Sequence, residues 1–299
     1  VRPLRALSLT IALGATVTLT ACGGSSDEET EAAAVPSVEQ DDEIAALVPD
    51  DIADAGVLTI GVDPGTAPMV LSADDGSLTG FEIELARAVA GVMGLEAEFR
   101  PGDFSGLIAG LQAERYDTVM SFVVDTAERQ ESADFVDYMQ VGAGILVPQG
   151  NPEGIEEPSD LCGVTTVVGA ASQGERTADA LSEECVAAGQ EPVDKLVVQG
   201  PDDLQTAMSA GRAPAALNVS PAVGYAVSQS GGQFEQAGDF FNEIPGGALF
   251  RKDDTELRDA FVAALLELQE DGTFTELGEE FGVSESLLEG APINAATEE

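Results

Sequence analysis

Histidine and tryptophan are both absent from this 299-residue chain, and lysine occurs only at Lys195 and Lys252. Without histidine there is no His-centred triad, no histidine general base and no histidine metal ligand. Three cysteines are too few for a cysteine-rich zinc or iron–sulfur site, so neither a metal nor a cofactor is expected. Cations are scarce in general: 12 Lys and Arg stand against 55 Asp and Glu, a formal net charge of −43. Such a surface repels nucleic acid, whose recognition needs clustered Lys and Arg. It also stays soluble at high ionic strength, where salt screens its self-repulsion. An exported acidic protein and a protein of a salt-tolerant source fit this balance equally well. Aromatic residues make up only 5%, but hydrophobic residues reach 44%, and the length suffices for one large domain or two lobes with real cores.

The N-terminal stretch "VRPLRALSLTIALGATVTLTACGGSSDEET" carries two positive charges, Arg2 and Arg5, ahead of an uncharged run from Leu7 to Leu19. That run is too short for a spanning helix and has the layout of a secretory signal peptide over residues 1–21. It ends in "LTAC", which resembles a bacterial lipobox. The resemblance implies cleavage before Cys22 and lipid attachment to its sulfur, which would hold the protein extracytoplasmically on the outer face of the cell membrane. The alternative is a plain secreted protein with a free Cys22. Residues 22–51 are acidic and poor in core formers, and read as a flexible tether. Cys162 and Cys185 remain as a pair, and outside the cytoplasm such a pair is expected to form a disulfide. Neither lies in a Cys-x-x-Cys motif, which argues against a reactive thiol pair.

From Val57 onward, short apolar runs alternate with amphipathic segments. "VLTIGV", "LEAEF" and "TVMSFV" read as strands, with helices in "GFEIELARAVAGVMG" and "DFSGLIAGLQAERYD" between them. In the latter, Phe104, Leu107, Ile108 and Leu111 follow helical spacing, and Asp103 is a candidate cap. After the Pro/Gly-rich break "VPQGNPEGIEEPSD" the alternation restarts, with strands "GVTTVVGA", "DKLVV" and "AALNV". A helix from Ser172 to about Ala188, then "DDLQTAMSAG" and "SPAVGYAVSQSG", lie between and after them. The tail "TELRDAFVAALLELQEDG" is a further amphipathic helix and "TFTELGEEFG" a short last one. βαβα written twice predicts an α/β protein of two lobes with mainly parallel sheets flanked by helices, and a cleft between such lobes is a common small-molecule site.

One arginine stands out. In "SFVVDTAERQ", Asp125 is a candidate helix cap with Glu128 completing a capping box, so Arg129 falls in the first helical turn. A cation there opposes the helix dipole by a few tenths of a kcal/mol to about 1, which makes sense if an anion sits beside it.

The ordered segments "LTIGVDPGTAPM", "GSLTGFEIELARAVAGVMGLEAEF", "DFSGLIAGLQAERYDTVMS", "DTAERQESADFVDYM" and "ALFRKDDTELRDAFVAALLELQEDGTFTELGEEFG" resemble the extracellular solute-binding proteins of ABC importers, in the class that binds polar amino acids. The likeness runs from about Val57 to Val283. It implies a type II periplasmic-binding-protein-like fold, with a first lobe over 52–146 and 247–299 and a second over 147–246. Two crossing strands would form the hinge, and the lobes would close on the ligand. It also implies a monomer that performs no chemistry and delivers a small molecule, an amino acid or related carboxylate, to a membrane permease. By this resemblance Arg129 grips the ligand carboxylate in a bidentate fork, a fit of planar guanidinium to carboxylate. Phe104 packs on the ligand, and Ser172, at a helix N-terminus, touches the same carboxylate. Gln173 is a weaker candidate, and Asp63 could meet a cationic group. The chain departs from the pattern at three points: Thr66 stands for an aromatic, Val124 for a hydroxyl residue, and Val219 for the aspartate that pairs with the α-ammonium. Asn218, as a neutral acceptor, Asp63 or Asp103 would have to replace that aspartate, or the ligand lacks an amine and is an organic acid. A dehydratase on the same fold is the remote enzymatic alternative; without histidine it would need a carboxylate as acid or base, and none stands out.

Overall fold

A computed structural model describes residues 38–64, 66–72, 76–170, 172–199 and 201–296; the expected signal peptide and lipidated Cys22 lie outside them. The described chain opens with two short helices, α1 (Asp42–Ala45) and α2 (Asp50–Ala55). Asp41 caps α1 by accepting the Glu43 and Ile44 amides at 2.8 and 2.9 Å, and Val48 and Ile52 are buried in the core. The expectation of a tether as far as residue 51 is thereby corrected. Ile44, Val48 and Ile52 recur at helical spacing among the acids and give this segment an apolar face to bury.

Next come β1 (Val57–Val62), the small hairpin of β2 (Leu71–Ser72) and β3 (Leu78–Thr79), α3 (Phe81–Val92), β4 (Glu96–Pro101), α4 (Phe104–Gln112), β5 (Thr118–Val119), α5 (Ala127–Gln130) and the long β6 (Asp134–Pro148). The second alternation is β7 (Thr165–Gly169), α6 (Gln173–Ala187), β8 (Asp194–Val198), α7 (Pro201–Ser209), β9 (Ala215–Val219) and α8 (Ser220–Gln229). A second long strand, β10 (Phe234–Phe250), leads to α9 (Thr255–Glu270) and α10 (Thr273–Glu280).

The main sheet has the order β4-β1-β5-β10-β6-β9-β7-β8. β4, β1 and β5 are mutually parallel at one end, and β8, β7 and β9 at the other. Between them β10 and β6 run antiparallel to each other along nearly their whole length, so the two parallel groups are continuous through shared strands. The first group is covered by α3 and α9, whose apolar faces bury Phe81, Leu85, Val89, Phe261 and Leu265. Phe250 and Phe261 meet edge to face at 5.2 Å, a geometry that adds about 1 kcal/mol to burial. Separate clusters fill the second group, one around Leu161, Leu181 and Leu217, the other around Leu204, Met208 and Val223.

Cys162 and Cys185 form the expected disulfide, 23 residues apart, and Cys185 is buried in α6. Closing a loop of that length restrains the unfolded chain by about 3 kcal/mol. Urea unfolding of Cys185→Ser is expected to show a loss of about that size, and an unchanged midpoint would show that the crosslink does not stabilise this half.

After α10 the chain turns back as a strap along the free edge of β6. Leu288 donates its amide to the Tyr138 carbonyl at 2.9 Å, Asn294 to that of Phe135 at 3.1 Å, and Asp137 to that of Pro292 at 2.9 Å. The Phe135 amide is taken by Asn294 Oδ1 at 2.8 Å. Residues 287–296 thus close an edge that would otherwise expose unpaired backbone groups.

Candidate functional site

Two departures from the expected caps shape the site. Asp103 makes no capping bond to α4; instead Asp63, just past β1, accepts the Phe104 amide on Oδ2 at 3.1 Å. Asp63 is itself fixed, because its amide donates to Ser121 Oγ at 2.7 Å. The cap of α5 is Thr126, which accepts the Arg129 amide at 3.3 Å, and not Asp125. Both residues are good caps, but Asp125 is 1% exposed and accepts Gln130 Nε2 and the Ala296 amide instead. The helix has only four residues, so the dipole argument for Arg129 loses its force: its first turn is also its last.

What places Arg129 is the chain before it. β5 ends after two residues because Phe122 adopts φ +52°, a left-handed conformation that costs a non-glycine residue about 1 kcal/mol or more. The buried Glu82 of α3 accepts the Phe122 amide at 2.7 Å and the Tyr138 hydroxyl on its other oxygen. Its burial pushes the Glu82 carboxyl up to about 7, against the lowering effect of those two donors. The chain then pairs with β10: Gly247 donates to the Val123 carbonyl at 3.1 Å and Asp125 to that of Pro245 at 2.8 Å. The Val124 carbonyl is left to accept Arg129 Nη1 at 2.7 Å. The guanidinium also lies over the Phe104 ring, 5.8 Å from its centroid, and Phe104 is 42% exposed. Among the described residues Arg129 has no carboxylate partner, although Glu128 and Glu131 lie beside it in sequence.

Asp63, Phe104 and Arg129 therefore form a row: a fixed carboxylate, an exposed aromatic face, and a guanidinium with Nε and Nη2 unengaged among the described residues. Ser172, Gln173 and Asn218 lie together on the second strand group. Ser172 caps α6, accepting the Glu175 amide at 3.1 Å. Gly174 lets α6 approach β9 closely, since a methyl there would meet the Leu217 carbonyl at 2.3 Å. The exposed Gln173 accepts on its amide oxygen from Arg176 Nε and Nη2 at 3.2 and 2.9 Å. Asn218 Oδ1 accepts the Val219 amide at 2.9 Å, which occupies the acceptor expected to face an amine. Thr66 closes a tight turn, its carbonyl accepting the Met69 and Val70 amides at 2.7 and 2.9 Å. The adjoining Ala67 lines a cavity of about 150 Å³ together with Asn218, Leu204, Tyr225 and Ala226, so this turn reaches the second strand group. The Val124 carbonyl and Ser121 hydroxyl escaped sequence reasoning. The first is a backbone group with no side-chain signal; the second is an ordinary polar residue at a strand end.

Residues 58–284 match the model of the bacterial extracellular solute-binding proteins, family 3. The chain belongs to this family. It is 35% identical to the arginine-binding protein ArgT of Corynebacterium glutamicum over 84% of this chain and 83% of that protein. The L-cystine-binding protein TcyJ of Escherichia coli is 29% identical over 77% of this chain and 84% of its own length. Among solved structures, an ancestral cationic amino acid solute-binding protein superposes with a TM-score of 0.69 at 28% identity, covering 79% of this chain and 99% of its own. The fold is thus that of type II periplasmic binding proteins, as the resemblance implied. The family is extracytoplasmic, and among the described residues no helix is long and apolar enough to cross a membrane.

Proposed function

We propose that this family member is a lipid-anchored receptor that captures a cationic amino acid between two lobes and delivers it to an ABC import permease. The observation that carries the reading is the row Asp63–Phe104–Arg129. The guanidinium has free donors for an α-carboxylate, and the aromatic face suits an aliphatic or guanidinium stem. The carboxylate at the other end suits a cationic tip. The surrounding charge of −43 attracts a cation and speeds its capture. The lobes would be 52–146 with 247–299, and 147–246, hinged at β6 and β10; Ser172, and more weakly Gln173, would meet the carboxylate from the second lobe on closure, with Thr66 at the rim. The named relatives that bind arginine or cationic amino acids favour the same class. Binding without chemistry, attachment through Cys22 and a monomeric state complete the reading.

Val219 favours a second reading. β9 offers no carboxylate for an α-ammonium, and leaving an ammonium buried and unpaired costs several kcal/mol. The ligand would then be an amine-free organic acid. A thermal-shift panel separates the two. L-arginine, L-lysine, neutral amino acids and the corresponding 2-oxo acids are tested on the wild type and on Asp63→Asn, in low and high salt. Ligand at 100 times Kd adds about 2.7 kcal/mol of stability. The expected result is a shift with arginine or lysine whose affinity drops about tenfold in Asp63→Asn, the loss of one exposed charge-assisted contact. Shifts with 2-oxo acids alone would establish the second reading, and no shift with any compound would defeat both.

A further inference from the structure

The turn that carries Arg129 is braced from behind by the strap, through a pair of buried carboxyl groups. A four-residue helix has no stability of its own, so long-range bonds decide where α5 lies. Gln130, next to Arg129, supplies several. Its side-chain amide donates to both oxygens of Asp125 at 2.9 Å and to the Ala296 carbonyl at 3.0 Å, and Lys252 Nζ donates to its carbonyl. The end of the strap returns the grip, the Ala296 amide donating to Asp125 Oδ2 at 2.9 Å and the Ala295 amide to Asp137 Oδ2 at 3.0 Å.

Asp125 and Asp137 are 1% and 0% exposed, and the two consecutive strap amides that bind their carboxyl groups bring both to the same buried spot. No donor among the described residues reaches the buried Asp137 Oδ1. Two ionised carboxylates cannot lie side by side in such a place; one proton held between them satisfies the orphaned oxygen and removes one charge.

The groups facing this pair are known from each element around it. α5 presents the neutral Gln130, the strap presents two backbone amides, and β10 presents Gly246 and Gly247. On β6 the neighbour Tyr138 is bonded to Glu82. Arg258 and Lys252 are engaged by Asp134, which Asn294 of the strap also grips, and Arg129 on the same turn donates to the Val124 carbonyl. No cation pairs with Asp125 or Asp137 among the described residues.

We propose that the strap is a positioning element for Arg129, latched by a single proton shared between Asp125 and Asp137, so that losing this proton loosens the strap and weakens carboxylate binding. The proposal rests on Arg129 being the carboxylate-binding group. Burial pushes Asp137 up to about 7, against the lowering effect of the Ala295 amide and with a smaller push from the Asp125 charge. The folded state therefore holds this proton more tightly than the unfolded chain. Its contribution is fully present below the ordinary aspartate value of 3.8 and is lost as pH rises through about 7.

The test compares wild type, Asp137→Asn and Asp125→Asn at about pH 6 and about pH 8.5, on either side of the pair's transition. Titration calorimetry gives the affinity for L-arginine and for agmatine, which lacks the carboxylate. Hydrogen exchange reports the amides of residues 287–296. In the wild type, arginine affinity is expected to fall about tenfold across this window, a typical coupling between linked equilibria, while agmatine affinity does not follow it. Strap protection, compared at equal pH, should fall below that of Asp137→Asn at the higher value. The amide of Asp137→Asn can replace the shared proton with a permanent N–H, so this variant should lose the pH dependence of strap protection and most of that of arginine affinity, the remainder belonging to Glu82 beneath Phe122; Asp125→Asn serves in its place if the first fails to fold. A variant that keeps the wild-type arginine profile overturns the proposal. If the wild type binds neither probe at any pH, the receptor reading fails, and pH-independent strap protection would then overturn the latch separately.

Discussion

Arg129→Ala is expected to lower affinity for the bound amino acid at least 100-fold, about 3 kcal/mol, the loss incurred when one side of a desolvated charge pair is removed. The fold should tolerate the change. Among the described residues the side chain contributes only the bond to the Val124 carbonyl and the contact with Phe104, together on the order of 1 kcal/mol. Calorimetric titration beside a melting curve separates the two effects: affinity collapses while the melting temperature moves little. Arg129→Lys should recover only part of the loss, because a single ammonium keeps the charge but not the two-pronged geometry. Wild-type affinity in Arg129→Ala would remove this residue from the site, and the row of three would have to be abandoned with it.

The largest effect on folding is expected at Gly247. A methyl group there would lie 1.9 Å from the Val136 carbonyl oxygen and 2.7 Å from the Asp137 Cα. These are backbone atoms of the facing strand, which cannot swing aside as a side chain would. The β6–β10 register already shifts at Gly246/Gly247, so the alanine variant must either break this pairing or push the strands apart. Gly247→Ala should therefore lose about 3 kcal/mol or more, the upper range for overpacking. Gly106→Ala in α4, where a methyl meets nothing within 4 Å, is expected instead to be neutral or to stabilise by up to about 1 kcal/mol through helix propensity. Urea unfolding of the two variants provides the comparison, and equal stabilities would show that the strand pair can relax around Gly247.

Much of this architecture is legible in the sequence, for reasons that differ between elements. β1, α3, α4, α6 and α9 follow from apolar periodicity, which survives because each is packed on a defined face. β6 and β10 do not announce themselves in this way. Their sequences, "DFVDYMQVGAGILVP" and "FEQAGDFFNEIPGGALF", carry glycines, a proline and acids that argue against a strand. The glycines are there because the strands approach closely: methyl groups at Gly142 and Gly144 would meet Glu243 Cγ at 2.7 Å and the Phe240 ring at 2.8 Å. Only the family resemblance foretold two crossing strands. β5 is shorter than the apolar run "TVMSFV" suggests, because Glu82 holds Phe122 in a turn. In the site, the side-chain pattern around Arg129 was readable. The role of Asp63 as the cap of α4 was not, because it joins residues 41 apart in sequence. The pattern points to Asp125 as a local cap, yet the adjacent Thr126 offers the same chemistry, and only burial shows which of the two is spent elsewhere.

The shared strands also impose an order on folding. β7, β8 and β9, with the helices between them, fall within residues 165–219 and can assemble from neighbouring chain. β5 cannot complete its pairing in this way, for its other edge is filled by β10 at Leu249, and the Thr118 hydroxyl bonds the Leu249 carbonyl across 131 residues. A chain emerging from its N-terminus must therefore keep the β1–β5 edge open until the whole second strand group has been made, although that group starts later in the sequence. Contacts of such separation slow folding and leave strand edges open to wrong partners in the interval. The half that begins the protein is the half that finishes last.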